Sequence, residues 1–548
     1  MRRKQTILRS AASATLALGV MFSLVQCNEA TGGTDTPSSS SSSVSTSRPD
    51  DDDDDDDNGG GSGGSESGIH GNTITVTNSN LNNLNNTLKG NPNVTSVNFS
   101  KVTSIPAGVL EGTGVTTVTV PANAQVAEGA FSNTNSNSLT IAVTGSGSVT
   151  QTILGGASHV TLDLSKASLQ SIDESAFEDC DSLASVILPE GLQSIGKSAF
   201  EDCISLASVI LPEGLQSIGD DAFEGCSSLT SINLPDSLET IPDDAFKKCT
   251  SLASIDLPES LKSIVGSAFQ GCTSLTSIDL PDSLERIGSS AFEDCDSLAS
   301  VILPKSLQRI GSYAFSNCTS LSSIDLPDSL ETIGSHTFYY CTNLSSVILP
   351  DSLKTIDDSA FYGCTNLSSV TLPGSLETID SHAFYDCTSL SSVTLPGSLE
   401  TIGLFSFSGC DNLTRVDLSA CTSLDSISIG AFSICDNLAY VTLPNTTSLE
   451  IREGAFQAAN QETELHLCIP NASMTVTCPT GSVGAVVDHA FTNRIVTLYC
   501  NNENTAIKTA LENAGAKGTR ENGEIEVKNT SDFPGPVSTG LRLFGLPF

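Results

Sequence analysis

Apolar residues recur in this chain at fixed positions of a 23-residue unit. The unit that starts at Ser175 reads Ser-Ala-Phe-Glu-Asp-Cys-Asp-Ser-Leu-Ala-Ser-Val-Ile-Leu-Pro and closes with Gly-Leu-Gln-Ser-Ile-Gly at 191–196. Its phenylalanine recurs at Phe177, Phe200, Phe223, Phe246, Phe269, Phe292, Phe315, Phe338, Phe361, Phe384 and Phe407. A strict period of this length predicts a stacked solenoid, because one unit cannot bury its apolar side chains without a neighbour.

Each unit divides into a short strand, a turn and a return segment. Leu183, Val186 and Leu188 line the inside of the predicted strand. Pro189 ends the strand, because proline has no backbone N–H to donate to a neighbour. The next apolar pair begins the return side, and the Ala-Phe pair that follows faces inward from a back wall. We therefore expect a β-rich repeat solenoid with short helical or 3-10 segments on its back wall.

A cysteine follows three residues after each of these phenylalanines, from Cys180 to Cys410, and accounts for eleven of the chain's 17 cysteines. Cysteine packs as a small apolar side chain, so this column is predicted to be a row of buried free thiols. Adjacent units lie about 4.8 Å apart, which also permits disulfides between neighbours in an oxidising compartment. Because the chain has no C-x-x-C pair, we expect no zinc site.

The charge balance argues against several functions. The formal net charge is −39, from 63 acidic and 24 basic residues, whereas nucleic-acid binding depends on Lys and Arg that neutralise phosphates. Anionic lipid headgroups are disfavoured as partners for the same reason. With only six histidines, and no phosphate-binding loop or zinc-ligand spacing, the sequence predicts neither an enzyme nor a cofactor.

The amino-terminal residues predict export. Arg2, Arg3 and Lys4 precede an apolar segment at 11–26, which has the length of a signal-peptide core. The residues Leu-Val-Gln-Cys at 24–27 resemble a bacterial lipoprotein box, in the relaxed form found in spirochaetes. This resemblance implies a signal peptide at 1–26 and a lipid on Cys27; ordinary secretion is the alternative.

The rest of the chain divides by composition. Residues 27–68 contain a serine run and eight consecutive aspartates and predict an extended tether, because such a segment cannot form a core. Residues 69–165 are degenerate repeats, 166–460 are regular repeats, and 461–548 are degenerate repeats with a carboxyl-terminal cap. Cys468 and Cys478 lie outside the cysteine column and can pair with each other.

From residue 166 to about 460 the chain carries the pattern L-x-S-[VI]-x-L-P-x-[SG]-L-x-[ST]-I-G-x-x-A-F-x-x-C. This pattern resembles the BspA-like, or treponemal, class of leucine-rich repeat. The asparagine of ordinary leucine-rich repeats falls here on Gly191, Gly214 and Ser237, so no asparagine ladder is expected. The resemblance implies bacterial surface proteins that bind host matrix proteins, host cell-surface proteins or other bacteria.

Two surfaces are candidates for binding. Acidic residues form one outward column on the strand side and another in the adjoining turn, which indicates either a solvated face or a contact with cations or a basic partner. Their members are Asp256, Asp279, Asp325 and Asp417 in the strand and Glu239, Glu285, Glu331, Glu377 and Glu400 in the turn.

The second surface is aromatic. Its residues lie beside the core phenylalanines between residues 313 and 405. Its residues, here called the aromatic patch, are Tyr313, His336, Tyr339, Tyr340, Tyr362, His382, Tyr385 and Phe405. Stacked rings of this kind are enriched at protein interfaces. The alternative is an aromatic ladder that only stabilises the wall.

Together these observations predict an adhesin that is lipid-anchored to the bacterial outer membrane or cell surface and binds extracellular proteins. A structural, self-associating protein of the cell envelope is the alternative function.

Overall fold

Successive 23-residue units stack in parallel register, so that Val186 pairs with Val209 and Ser194 pairs with Ser217. The computed structural model of the protein describes residues 69–459, 463–471, 473–477, 490–500, 505–518 and 525–534. They form a solenoid of about 18 turns, which confirms the predicted fold class. The predicted signal peptide at 1–26, Cys27 and the tether to residue 68 lie outside the described residues.

One side of each turn is a short parallel strand, and these strands together form the strand wall. In the regular units the strand has three residues with the middle side chain buried and the two outer ones exposed, as in Ser254–Asp256. The amino-terminal strand Ile69–His70 is antiparallel to its neighbour. The strand wall comprises Thr73–Thr75, Ser96–Asn98, Thr117–Pro121, Leu139–Gly145, Val160–Ala167, Leu183–Ile187, Ser208–Ile210, Ser231–Asn233, Ser254–Asp256, Ser277–Asp279, Ser300–Ile302, Ser323–Asp325, Ser346–Ile348, Ser369–Thr371, Ser392–Thr394, Arg415–Asp417, Tyr440–Thr442, Thr463–Cys468 and Arg494–Tyr499, with Lys517–Gly518 and Glu526–Lys528 beside the last strand.

A second ladder of very short strands follows the proline turn and buries one isoleucine per regular unit. Its strands are Ser104–Ile105, Gln125–Val126, Ser171–Ile172, Ser194–Ile195, Ser217–Ile218, Thr240–Ile241, Ser263–Ile264, Arg286–Ile287, Arg309–Ile310, Thr332–Ile333, Thr355–Ile356, Thr378–Ile379, Thr401–Ile402, Ser426–Ile427, Ser448–Ile451 and Thr475–Thr477. Serine hydroxyls tie the intervening turns together: Ser260 Oγ donates to the Leu238 carbonyl at 2.6 Å, and Ser283 repeats the bond to Leu261 at 2.6 Å.

The back wall is built differently in the regular units and at the ends. In the regular units it consists of consecutive turns joined by their own backbone ladder, in which Phe177 N–H donates to the Ala199 carbonyl at 2.9 Å. The helical segments lie in the degenerate amino-terminal units and near the carboxyl terminus. They are the 3-10 helices Leu81–Asn83, Gln151–Leu154 and Thr530–Asp532 and the α-helices Leu84–Gly90 and Thr505–Asn513.

The core is a continuous stack of phenylalanine rings. From Phe177 to Phe456 neighbouring ring centroids lie 5.1 to 5.8 Å apart, and the planes differ by at most 15°. All these rings are fully buried. Each ring therefore depends on the units before and after it, as the periodicity predicted.

The cysteine column is buried, as predicted, and consists of free thiols. Each thiol also has a polar role: from Cys203 to Cys410, Sγ–H donates to the carbonyl of the phenylalanine 26 residues earlier at 3.0 to 3.3 Å. A buried carbonyl is therefore satisfied once per unit by a group that is otherwise apolar. The predicted pairing of Cys468 with Cys478 is wrong for this structure, because Cys468 is a buried free thiol; Cys478 itself lies outside the described residues.

After the regular units, an arginine takes the place of the cysteine thiols as the donor to buried backbone carbonyls. Arg494 is fully buried, and its guanidinium donates to the Phe456 carbonyl at 2.8 Å and to the Cys435 carbonyl at 2.7 Å. A third bond reaches the Leu438 carbonyl at 3.2 Å. The Arg494 side chain thus joins its own turn to the turns that contain Phe456 and Cys435.

Candidate functional site

The aromatic patch lies on the back wall, in columns beside the buried phenylalanines. Tyr313, His336, His382 and Phe405 occupy the position two residues before the core phenylalanine of their units. Tyr339, Tyr362 and Tyr385 occupy the position directly after it, and Tyr340 the position after that. Because the core rings fix these positions, the patch follows the solenoid axis from unit to unit.

The structure brings all eight side chains into one connected group of rings. Tyr313 stacks on His336 with centroids 4.4 Å apart, and His336 reaches Tyr339 at 5.1 Å. Tyr339, Tyr362 and Tyr385 continue the group at 4.9 and 4.7 Å. The remaining links are Tyr339–Tyr340 at 4.6 Å, Tyr385–His382 at 5.8 Å and His382–Phe405 at 5.6 Å.

Five of these residues have left-handed backbone conformations. Their φ angles are 60° at Tyr313, 58° at His336, 52° at Tyr340, 56° at His382 and 53° at Phe405. The equivalent positions of other units share this conformation and carry mostly Ser, Asp, Asn or Gly. Asp, Asn, Gly and also His tolerate it better than Tyr or Phe. A bulky residue there costs about 1–3 kcal/mol, and strain of this kind is concentrated at functional sites.

Glycines on the following units make room for two of the rings. Gly363 has φ 70°, and a Cβ added there would lie 2.7 Å from Tyr340 Cδ1. Gly430 has φ 63°, and a Cβ added there would collide with Cε1 of the Phe405 ring. At these two positions, any side chain on the following unit would displace the ring.

A carboxylate lies between the two histidines of the patch. Asp358 Oδ2 is 3.9 Å from His336 Nε2, and Asp358 Oδ1 is 3.6 Å from His382 Nδ1. Burial lowers the pKa of His336, although Asp358 acts in the opposite direction. His336 Nδ1 is buried without a hydrogen-bond partner.

Three tyrosine hydroxyls of the patch, those of Tyr339, Tyr362 and Tyr385, have raised pKa values. Burial raises the pKa of Tyr362 to about 12, with neighbouring tyrosines and Asp386 contributing. Burial also raises the pKa of Tyr339 and of Tyr385. These hydroxyls are therefore neutral hydrogen-bond donors at physiological pH.

Sequence reasoning missed the residues that extend the patch beyond Phe405. Ser408, Ser433, Ile434 and Gln457 line a pocket next to Tyr385 and Phe405. The sequence contains a signal for Ser408 and Ser433. The position directly after the core phenylalanine is tyrosine in three consecutive units and serine in the next two. Ile434 has φ 58°, which is unusual for a β-branched residue, and this conformation is visible only in the structure.

The aspartate column lies at the ends of the strand-wall strands, and the glutamate column lies in the adjoining turns. Asp279 and Asp325 pair with Ile302 and Ile348 of the following strands, so the outward column mixes aspartates with exposed isoleucines. In the turn column, Glu331 pairs with Lys354 at 2.9 Å, and both side chains are largely exposed.

Among the described residues no cluster of His, Cys, Asp and Glu has a geometry that holds a metal ion. Over the same ranges, neither α-helix is long and apolar enough to cross a bilayer.

Four segments of the chain, 67–144, 158–276, 263–387 and 354–476, match the family model described as BspA type leucine rich repeat region (6 copies). No curated protein matches the chain.

Solved bacterial structures are similar to it. A leucine-rich repeat protein from Bacteroides ovatus is 28% identical, with 68% of this chain and 87% of that chain covered and a TM-score of 0.51. The T. pallidum leucine rich repeat protein is 32% identical, with 36% of this chain and 82% of that chain covered and a TM-score of 0.28. A leucine rich cell surface protein from Faecalibacterium prausnitzii is 25% identical, with 57% and 88% covered and a TM-score of 0.35.

Proposed function

The chain belongs to the BspA-type leucine-rich repeat family, and on that premise we propose that it is an exported adhesin that binds host extracellular or cell-surface proteins, or other bacteria. Solenoids of this kind present long continuous surfaces and commonly serve as protein-interaction scaffolds. The proposed contact surface is the aromatic patch.

The observation that carries this proposal is the combination of exposure and backbone strain in the patch. Tyr313 and Tyr340 are exposed by 38% and 40%, and both have positive φ. A ladder that served stability alone would gain little from rings whose backbone costs about 1–3 kcal/mol each. Tyrosine contributes large contact area and a polar hydroxyl, which explains its enrichment at interfaces.

The test is the double variant Tyr362→Ser with Tyr385→Ser. We expect its affinity for immobilised host extracellular-matrix proteins or for partner bacterial cells to fall at least about tenfold, as for interface residues that contribute strongly to binding. The matched control is Tyr440→Ser, which removes a half-buried tyrosine from the strand wall. If binding is unchanged and only the melting temperature falls, the patch is a stabilising ladder and the proposal fails.

The proposed location is the bacterial surface, with a lipid on Cys27 as the anchor. Metabolic labelling with a fatty acid should mark the wild-type protein and not the Cys27→Ala variant. Protease treatment of intact cells should then remove the solenoid. Protection from the protease would place the protein in the periplasm and contradict the adhesin function.

Self-association is the competing outcome. Sedimentation velocity that shows concentration-dependent assembly, together with no affinity for host proteins or bacterial cells, would favour a structural role in the envelope.

A further inference from the structure

A pocket opens at the carboxyl-terminal end of the aromatic patch. Its volume is about 380 Å³, within the range of about 300–1,000 Å³ that is typical of ligand sites. Tyr385, Phe405 and Ile434 supply ring and aliphatic walls, and Ser408, Ser433 and Gln457 supply polar groups.

The pocket arises from a gap in the tyrosine column. The residue directly after the core phenylalanine is tyrosine in three consecutive units and serine in the next two, Ser408 and Ser433. A serine side chain ends where the tyrosine ring begins, which leaves room for the pocket beside Tyr385. Gln457 occupies the same position in the following unit and borders the gap on its far side.

The geometry of the last tyrosines suits a planar group in that gap. The rings of Tyr362 and Tyr385 are stacked, with centroids 4.7 Å apart and planes 10° apart. Since Tyr385 borders the pocket, a flat group placed one unit further along continues the stack. At the base, Ser433 Oγ lies 2.8 Å from Ser408 Oγ, and both residues are buried.

The units that carry the aromatic patch are rich in acidic residues. Asp386 follows Tyr385 in the chain, and burial together with this carboxylate raises the pKa of Tyr385, which lines the pocket. Between Arg309 and Arg415 the chain contains eleven acidic residues and one basic residue, Lys354. Lys354 directly precedes the second-ladder strand Thr355–Ile356 and is paired with Glu331.

We propose that this pocket binds the guanidinium group of an arginine side chain presented by a partner protein; the inference rests on the protein-binding function proposed above. A guanidinium is planar, weakly hydrated and carries five N–H donors, so it stacks on Tyr385 and donates to the serine hydroxyls and to Asp386. A lysine ammonium is compact and strongly hydrated and cannot continue a stack of rings.

The experiment uses three capped tripeptides, Gly-Arg-Gly, Gly-citrulline-Gly and Gly-Lys-Gly, with the full-length protein. Citrulline has nearly the shape of arginine without its charge. Saturation-transfer NMR and a tyrosine fluorescence titration report binding; the latter is informative because the chain has seven tyrosines, five of them in the patch, and no tryptophan. We expect the arginine peptide to bind about tenfold more tightly than the other two, and less tightly as salt rises.

Two variants locate the binding. Ser408→Tyr continues the tyrosine column into the gap and should abolish arginine binding, whereas the same substitution at the exposed Ser369 of the strand wall should not. Asp386→Asn removes the charge, and asparagine tolerates the φ of 55° there; it should weaken arginine binding several-fold. Circular dichroism checks that each variant is folded.

The outcomes separate this inference from the adhesin function. Equal binding of arginine and citrulline, or arginine binding that survives Ser408→Tyr, overturns the guanidinium site. Host-protein binding that depends on Tyr362 and Tyr385 while no arginine peptide binds leaves the adhesin function standing and the inference wrong. Arginine binding in the pocket without affinity for any host protein or bacterial cell supports the site and removes the adhesin function.

Discussion

The Gly430→Ala substitution tests whether the wall is built around the Phe405 ring. Gly430 has φ 63°, so alanine there costs about 1–2 kcal/mol from the left-handed conformation alone. The added Cβ would also collide with the Phe405 ring. The ring then loses its stack on His382, at present 5.6 Å away, which is worth about 0.5–1.5 kcal/mol. We expect a total loss of about 2–3 kcal/mol.

Gly454→Ala is the matched control. Gly454 occupies the same position in the next unit and has φ 62°, but a Cβ there meets only the mobile end of Gln457, 3.1 Å from Oε1. The control therefore carries the backbone cost without the ring displacement, and we expect a loss of about 1–2 kcal/mol. The two variants should differ in lost stability by about 1 kcal/mol, which is the contribution of the Phe405 ring in its stacked position.

Amide hydrogen exchange is the suitable assay, because a long repeat protein does not unfold in one two-state step. The Phe407 N–H donates to the Ala431 carbonyl at 2.8 Å and reports opening of the affected unit; the Phe432 N–H, bonded to Ala455 at 2.8 Å, reports the control. A difference of about 1 kcal/mol makes exchange about fivefold faster. Equal effects of the two alanines would refute the reasoning, since the Phe405 ring would then move at no cost.

Three further predictions follow from the buried polar groups. Replacing Arg494 by methionine should cost at least about 2 kcal/mol, because the buried Phe456 and Leu438 carbonyls lose their donor at about 1–3 kcal/mol each, while the Cys435 carbonyl keeps the Leu438 N–H; hydrogen exchange around residues 435–456 measures this, and unchanged protection would contradict it. Burial raises the pKa of the Cys249 and Cys318 thiols well above the ordinary value, so these two thiols should not react with a thiol reagent at pH 9 until the protein is denatured, as peptide mapping of the labelled cysteines would show. Unfolded thiols ionise near pH 8.5, so the contribution of these groups to stability is complete below that pH and decreases as pH rises; melting temperatures measured from pH 7 to 10 in reductant test the sign. In a spectrophotometric titration Tyr362 should ionise near pH 12 in the native protein and near pH 10 in denaturant; one transition near pH 10 in both states would show that the hydroxyl is not buried as described.

Much of the fold was predictable from the sequence. The columns of phenylalanine, cysteine, leucine and proline fix the period, and the period fixes which residues of neighbouring units meet. For the same reason the eight patch residues were predicted as one group, and the ring contacts from Tyr313 to Phe405 confirm that they are contiguous. Whether they bind a partner stays a prediction.

Other features depend on conformation and were not predicted. The regular back wall is made of turns, and the short helices lie in the degenerate amino-terminal units and near the carboxyl terminus. The positive φ of Tyr340 and Ile434 and the thiol-to-carbonyl bonds of the cysteine column have no signature in composition. The contacts of Arg494 join residues 38 to 59 positions apart in a part of the chain where the period is lost.

The sequence by itself determined the solenoid, its register and its buried columns, because each unit needs only the next identical unit to bury its apolar side chains. Only the tertiary structure decided where the wall departs from regularity. Whether a ring has room depends on the side chain at the facing position of the next unit. Gly430 has no side chain and so leaves space for the Phe405 ring. The pocket beside Tyr385 likewise exists because two short side chains follow three long ones in space as well as in sequence.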